Sequence, residues 1–430
     1  MSSIGLNLDR WWDAGRAEQV AQLHRRAFAW EPQGYIPLGI HVINPAYGRD
    51  LDYRAWLDPE PFLAFQTRVL ADTLAVGSDL LPAVAINHLG DALLPSLFGA
   101  QLFMPEAGSA TLQDVGPTPL PVFADISEVA NLPMPPVGAG IMPAVERMVR
   151  RYREALPPWV QVVAPMPSGP FSAAMELRGT DILLDLADAS EQCRRLIEMC
   201  ARLIWAIEAR LRTLAGTPLS EHVTNFGILG TGLRLGDDSM VNLSPAMIRR
   251  FCLPAYDMIN RLCGGRGHIH FCSLAASRFE HVFPVMAASP EVVVLSTQFG
   301  FEYYEQHLDE LRKRLAIESF YGDAYGYVCR RYGSFRAWAR DFVPRVKNES
   351  GLVLYFQVES VEEGQEVEDR RLLDDGFDHA AKQHVVGEPG SLGLGHGHGW
   401  CSSFRIPVER GRCAFRASEA RERPRRVAHP

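Results

Sequence analysis

The sequence predicts an α/β protein built as a (β/α)8 barrel, and three features carry that expectation. Eight short apolar runs with strand character alternate with longer helical patterns. The runs lie too far apart to be joined by hairpins, which calls for crossover helices and a parallel sheet. The chain has 430 residues, 47% of them apolar, enough for one large barrel with extensions. An open doubly wound sheet shares the same alternation and is the alternative.

The expected strands are Tyr35–Val42, Ala83–Asn87, Val160–Ala164, Gly232–Leu235, His268–Cys272, Val292–Ser296, Leu315–Phe320 and Leu352–Val358. The clearest helix is Asp188–Ala215. Asp188 and Glu191 have the spacing of a capping box, and Gly216 marks the stop. Leu196, Ile197, Cys200, Leu203, Ile204, Ile207, Leu211 and Leu214 keep the 3/4 spacing of a buried face. Arg194, Arg195, Glu198, Arg202 and Arg210 fall on the other side and read as a solvated face, while Cys193 and Cys200 read as small helix residues. Ser244-Pro245 announces a second helix, an N-cap followed by proline in the first turn, running to Cys263 with a kink expected at Pro254. The proline-rich stretch 108–140 reads as an ordered excursion. The organisation expected is an N-terminal helical extension over 1–34, the barrel over 35–366, and a poorly structured Gly/His/Arg-rich tail over 367–430.

Composition narrows the function classes. A net charge of −8 and a pI near 5.9 argue against nucleic-acid binding, which leaves a basic footprint. No apolar run approaches the roughly 18 residues of a membrane span. Residues 1–16 lack the apolar core of a signal peptide. Eight cysteines without framework spacing fit a reducing, cytoplasmic setting.

The most chemically pointed run is His268-Ile269-His270-Phe271-Cys272. On a strand its period of two puts His268, His270 and Cys272 on one face. A His and a Cys two apart on a strand can grip one metal ion, and zinc accepts such mixed ligation given a further ligand. His268, nearer the strand's start, reads as a core histidine. Near other strand ends stand Asn87, His88, Asp237, Asp238, Gln298, Glu302, Asp323 and Gln357, a polar and mildly acidic set suited to a neutral or cationic small molecule.

Several ordered motifs resemble the uroporphyrinogen decarboxylase superfamily, which includes zinc- and corrinoid-linked methyltransferases. Gly169-Pro170-Phe171-Ser172 followed by Asp181–Asp188 is similar to that family's Gly-Pro-Phe segment and its downstream helix. Asp237-Asp238-Ser239, Ser244-Pro245, Phe251 and Pro254 resemble its Asp … Ser-Pro … Phe … Pro stretch. His270-Phe271-Cys272 matches the His-x-Cys of the methyltransferase branch. The resemblance runs from Asn87 to about Gly364 and implies a barrel with its site at the C-terminal strand ends.

It also implies alternatives for function. In the methyltransferase branch, zinc binds a thiol, lowers its pKa and presents a thiolate to a methyl group held on a corrinoid protein. His270 and Cys272 match two ligands, and Glu359, after the last strand, or Cys329 stands as the third. In the decarboxylases, a central Asp, here Asp91, acts beside arginines that follow the first strand. The stretch Tyr35–Tyr47 has no arginine, leaving Arg178 or Arg234, and Glu176 stands where a Tyr is expected. The reading is therefore one-carbon transfer, with Asp91, Asp238 and Glu176 as polar or acid–base groups and Asn87, Phe171, Asp237, Gln298 and Gln357 lining the substrate site. Decarboxylation around Asp91 and a ligand-binding barrel without chemistry are the alternatives.

Overall fold

The computed structural model describes residues 8, 12–31, 36–44, 46–47, 51, 55–103, 116–264, 267–271, 276–290, 292–297, 316–321, 331–334, 337–338, 340–341 and 351–372. All of these belong to one unit, 1–377; a second unit, 378–430, lies outside the described residues, and with it most of the expected tail.

Helix α1 (Ala14–Phe28) starts at Asp13, whose carboxylate accepts the Arg16 N–H at 2.8 Å. It belongs to the core: Val20, His24 and Phe28 are buried, and His24 Nδ1 accepts the Leu229 N–H at 3.0 Å. That bond leaves Nε2 carrying the proton it gives to the Asp79 carbonyl at 2.8 Å, and burial lowers the His24 pKa to about 4. Next come β1 (Leu38–Val42) and α2 (Pro59–Val76), which opens on Asp58 and closes on Gly77 at a left-handed φ of 81°. Then follow β2 (Ala83–Ala85), α3 (Gly90–Leu97), the antiparallel pair β3 (Leu102–Phe103) and β4 (Thr118–Pro119), α4 (Met142–Ala155) and β5 (Gln161–Val163).

Helices α5 (Pro170–Arg178), α6 (Ile182–Asp188) and α7 (Ser190–Ala215) lead to a second antiparallel pair, β6 (Glu221–Val223) and β7 (Leu229–Thr231). The expected buried face of α7 is present, with Cys193 and Cys200 inside it. The capping box is not: Asp188 ends α6, and α7 begins after Ala189 without a side-chain cap. Nor are all the arginines idle. Arg195 donates to the Val129 and Leu132 carbonyls at 2.9 Å each, and Arg210 pairs with Glu146 of α4. Both tie α7 to its neighbours.

The remainder is β8 (Arg234–Gly236), α8 (Pro245–Met247), α9 (Leu253–Leu262), β9 (Gly267–Phe271), α10 (Ala276–Ala288), β10 (Val292–Thr297), β11 (Ala316–Tyr321), β12 (Leu352–Val358) and α11 (Val361–Leu372). Ser244 Oγ accepts the Met247 N–H at 3.3 Å, as an N-cap should. One π-helical turn, Ile248–Cys252, separates α8 from α9, so Pro254 sits in a first turn where its missing N–H costs little. The helix restarts where a kink was expected. Helix α11 also runs past residue 366 to Leu372.

Every expected strand is present in part or whole, and all eight are parallel. Six form one sheet in the order β1-β12-β11-β10-β9-β8, and β2 pairs with β5 in another. The Gly169 N–H donates to the Gly236 carbonyl at 2.7 Å, which joins the segment after β5 to the end of β8. Among the described residues, however, backbone ladders do not close these sheets into the expected ring. At β1 the reason is visible. The Leu38, Ile40 and Val42 N–H groups, which face away from β12, donate to Asp79 Oδ2, Ser78 Oγ and Thr73 Oγ1 at 3.0, 3.0 and 3.1 Å. Side chains stand there in place of a neighbouring strand.

Candidate functional site

A cavity of about 380 Å³ opens where the parallel strands end. His41 and Ile43 come from the end of β1, Asn87 and His88 from beyond β2, Met166 from beyond β5, Asp238 from beyond β8, His270 from β9 and Gln357 from β12. Strand ends converge on such a point because parallel strands share a direction and their following loops all emerge on one side. Leu51, Phe62, Phe65 and Phe226 give the lining apolar surface, beside the polar groups.

Three imidazoles reach the cavity, each held by a bond that orients it. His41 Nδ1 lies 2.8 Å from the Tyr355 hydroxyl, which also receives Gln357 Nε2 at 3.3 Å. His88 stacks flat on Phe62 at 3.8 Å between ring centroids, and its Nε2 donates to the Trp56 carbonyl at 3.0 Å. His270 Nδ1 is 2.9 Å from Ser296 Oγ, and its Nε2 is 3.9 Å from Asp238 Oδ1. Burial lowers the pKa of His41 and of His88 to about 4, and burial followed by the charge of Arg234 holds His270 well below 6.5. At neutral pH all three are uncharged, the state in which an imidazole can accept a proton or bind a metal.

Asp91 forms an acid pair with a residue behind it. Ser168 Oγ lies 3.2 Å from Asp91 Oδ1 and 2.5 Å from Glu176 Oε1. One hydroxyl has one proton to give, so it cannot serve two carboxylates at once. Burial, and then the charge of Asp91, pushes the Glu176 pKa well up; burial also raises that of Asp91, against its bond to Ser168. Glu176 therefore keeps its proton and donates to Ser168, which donates to Asp91. Asp91 faces the cavity and Glu176 does not.

Beneath the floor lies a buried charged group. Arg234 Nη2 donates to Ser296 Oγ at 3.4 Å, and its Nε is 3.9 Å from Glu318. The Glu318 carboxylate also lies 2.8 Å from His268 Nε2. Burial raises the Glu318 pKa, but His268, Arg234 and Ser296 together outweigh it and hold the group below the usual value. His268, 0% exposed, is the core residue its position on the strand suggested.

The predicted site residues divide as follows. Asn87, Asp91, Asp238, His270 and Gln357 line the cavity. Asp237 does not; its carboxylate accepts from the Phe171 and Ser172 N–H groups, Ser172 Oγ and the Tyr256 hydroxyl at 3.1, 2.7, 2.7 and 2.6 Å. Phe171 is buried in the first turn of α5. Glu359 is exposed beyond β12, where its N–H donates to Glu363, and it is not among the lining residues. Cys272, Gln298, Glu302, Asp323 and Cys329 lie outside the described residues. Arg178 pairs with Asp185 at 2.8 Å and Asp181 at 3.4 Å. Sequence reasoning missed His41, Gln66, Asn225, Ser168 and Ser296. His41 alone carried a signal, being a polar residue next to last in an otherwise apolar strand.

No family model matches the chain, and no curated protein does. Among solved structures, a methyltransferase from Methanosarcina mazei is similar, with a TM-score of 0.58 at 14% identity over 82% of this chain and 98% of that chain. The likeness is one of fold. No described helix is long and apolar enough to cross a membrane.

Proposed function

We propose that this cavity carries methyl transfer to a thiol, with zinc held at His270. The observation that carries the reading is the pairing of His270 Nε2 with Asp238 Oδ1 across 3.9 Å at the cavity wall, two residues before Cys272. A neutral imidazole and a carboxylate at that separation suit a divalent ion between them, and a thiolate from Cys272 would complete a nitrogen, oxygen and sulfur set. Among the described residues, Glu359 included, no group of three His, Cys, Asp or Glu is arranged around one point, so the set depends on Cys272. Zinc, when bound, makes a coordinated thiol ionise at neutral pH. His270 and Asp238 would hold the ion, the apolar lining residues would take the rest of the substrate, and Asp91, oriented by the hydrogen bond from Ser168, would itself accept the thiol proton. A corrinoid on a partner protein as methyl source is part of the same proposal, and it rests on the sequence resemblance alone.

Decarboxylation around Asp91 has less support. It requires cations for substrate carboxylates, and among the described residues the arginine that lines the cavity, Arg234, is already engaged by Ser296 and Glu318.

Zinc content after purification without a histidine tag tests the reading, beside Cys272→Ser and Asp238→Asn. The expected result is near-stoichiometric zinc, lost in Cys272→Ser and weakened in Asp238→Asn, with methyl transfer from methylcobalamin to a small thiol lost in parallel. Absence of zinc from all three proteins after supplementation would overturn it. Decarboxylation or ligand binding at Asp91 would then stand in its place.

A further inference from the structure

The proposed chemistry leaves His88 unused, although the fold holds its ring at three points. It sits in the single 3₁₀ turn Asn87–Leu89, between β2 and α3, half-buried and in the cavity lining. An added Cβ at Gly116 would collide with the His88 carbonyl, so the backbone there is closely packed. The ring lies on Phe62, 3.8 Å between centroids and 7° from parallel. Its Nε2 stands 3.0 Å from the Trp56 carbonyl. Backbone, ring plane and one ring nitrogen are all fixed.

Trp56 decides which nitrogen carries the proton. A carbonyl oxygen can only accept, so Nε2 must donate, and there is no hydroxyl whose rotation could reverse the assignment. At pH 8, above the roughly 6.5 at which a free imidazole titrates, the ring has one proton to place. Burial favours the same uncharged ring. Nδ1 is left with a lone pair, and it has no hydrogen-bond partner among the described residues.

Such a nitrogen can take only a hydrogen-bond donor. The charges of the lining point the same way. Asp91 and Asp238 are acidic, and among the described residues the lining arginine, Arg234, is engaged by Ser296 and Glu318. A carboxylate, sulfonate or phosphate would be desolvated there against acceptors and negative charge. Leu51, Phe65 and Phe226 offer apolar surface to the body of a ligand, and the volume of about 380 Å³ suits a small molecule.

We infer that His88 sets the specificity of the cavity, its Nδ1 lone pair accepting an N–H or O–H from a ligand with a compact apolar body and no anionic group. A site built to hydrogen-bond one ligand group rejects analogues without it, because its own polar atom is then left unpaired. For the proposed reaction this names the class of thiol, one that also carries an amino, amide or hydroxyl group and no acid group. That step rests on methyl transfer to a thiol; donor recognition by His88 does not.

The experiment uses the full chain, freed of metal and labelled with ¹⁵N-histidine, at pH 8. Long-range ¹H–¹⁵N correlation separates the two ring nitrogens, and a His88→Phe sample identifies the His88 signals. Expected in the free protein are a protonated Nε2 and a bare Nδ1. Saturation with 2-phenylethylamine or 2-phenylethanol should move the Nδ1 signal upfield, as a hydrogen bond to its lone pair does, while Nε2 stays. In calorimetry His88→Phe, which keeps a ring on Phe62, should bind both probes about 10-fold more weakly than the wild type. The wild type should bind 3-phenylpropionate, of similar size, far more weakly than either. A protonated Nδ1 in the free protein, an Nδ1 signal unmoved by the bound probes, equal affinity in His88→Phe, or 3-phenylpropionate as the tightest ligand would each overturn the inference. So would failure of all three probes to bind at millimolar concentration. Absence of zinc from the purified wild type, beside the expected shifts, would remove the thiol reading and leave donor recognition by His88 standing.

Discussion

At the scale of single residues, Glu176 is the group whose chemistry departs most from its residue type. Burial and the nearby Asp91 raise its pKa above the ordinary 4.5, so the folded protein binds that proton more tightly than the unfolded chain does. The stability linked to it is complete below the unfolded pKa and is lost as pH rises through the raised folded one. Glu176→Gln removes the ionisation and keeps an N–H donor for Ser168. The variant should match the wild type at acid pH and gain on it steadily toward neutral and alkaline pH in urea unfolding. A difference in stability independent of pH would show that Glu176 is not the titrating group.

At the scale of elements, the sequence was legible wherever a short-range pattern decides the outcome. The strand Leu352–Val358 is observed with its expected bounds because a seven-residue run with six apolar residues and one polar one, Gln357, has few other uses. The start of α7 was misread because Asp188 serves the preceding helix, and two abutting helices share one continuous pattern. Site residues were less legible than strands, and Asp237 shows why. Standing beside Asp238 after a strand, it reads as a pocket carboxylate. Neighbouring side chains point opposite ways. Asp238 faces the cavity, whereas Asp237 turns inward onto the N-terminus of α5, and no local pattern distinguishes them. The fit there is close, since a Cβ added at Gly169 would lie 2.5 Å from that of Asp237. Asp237→Ala strands two backbone N–H groups and two hydroxyls in the core, at a cost of about 3–5 kcal/mol. Denaturant unfolding should show that loss, and a loss below about 1 kcal/mol would mean that α5 keeps its N-terminus by other contacts.

At the scale of the whole molecule, the question is how a parallel sheet ends without a neighbour. A strand edge in a protein interior leaves N–H and C=O groups that must be paired. At β1 two consecutive residues imitate a strand. Asp79 accepts the Leu38 N–H on its carboxylate and returns its own N–H to the Leu38 carbonyl at 2.9 Å. Ser78 accepts the Ile40 N–H and returns its hydroxyl to the Ile40 carbonyl at 3.3 Å. Thr73 takes Val42. The edge is satisfied by three side chains that follow from α2 and its exit, so the seam is built by sequence-local chemistry and not by a ladder. Ser78→Ala should leave the Ile40 amide without an acceptor while sparing the rest of β1. Hydrogen exchange is the measurement suited to this, because it reads each amide separately. The Ile40 amide should lose about 1–3 kcal/mol of protection, Leu38 and Val42 less, and the amides of β10 no more than the global change in stability. Equal losses along β1 and β10 would mean that Ser78 acts only through overall stability. Unchanged protection at Ile40 would mean that another group completes the edge.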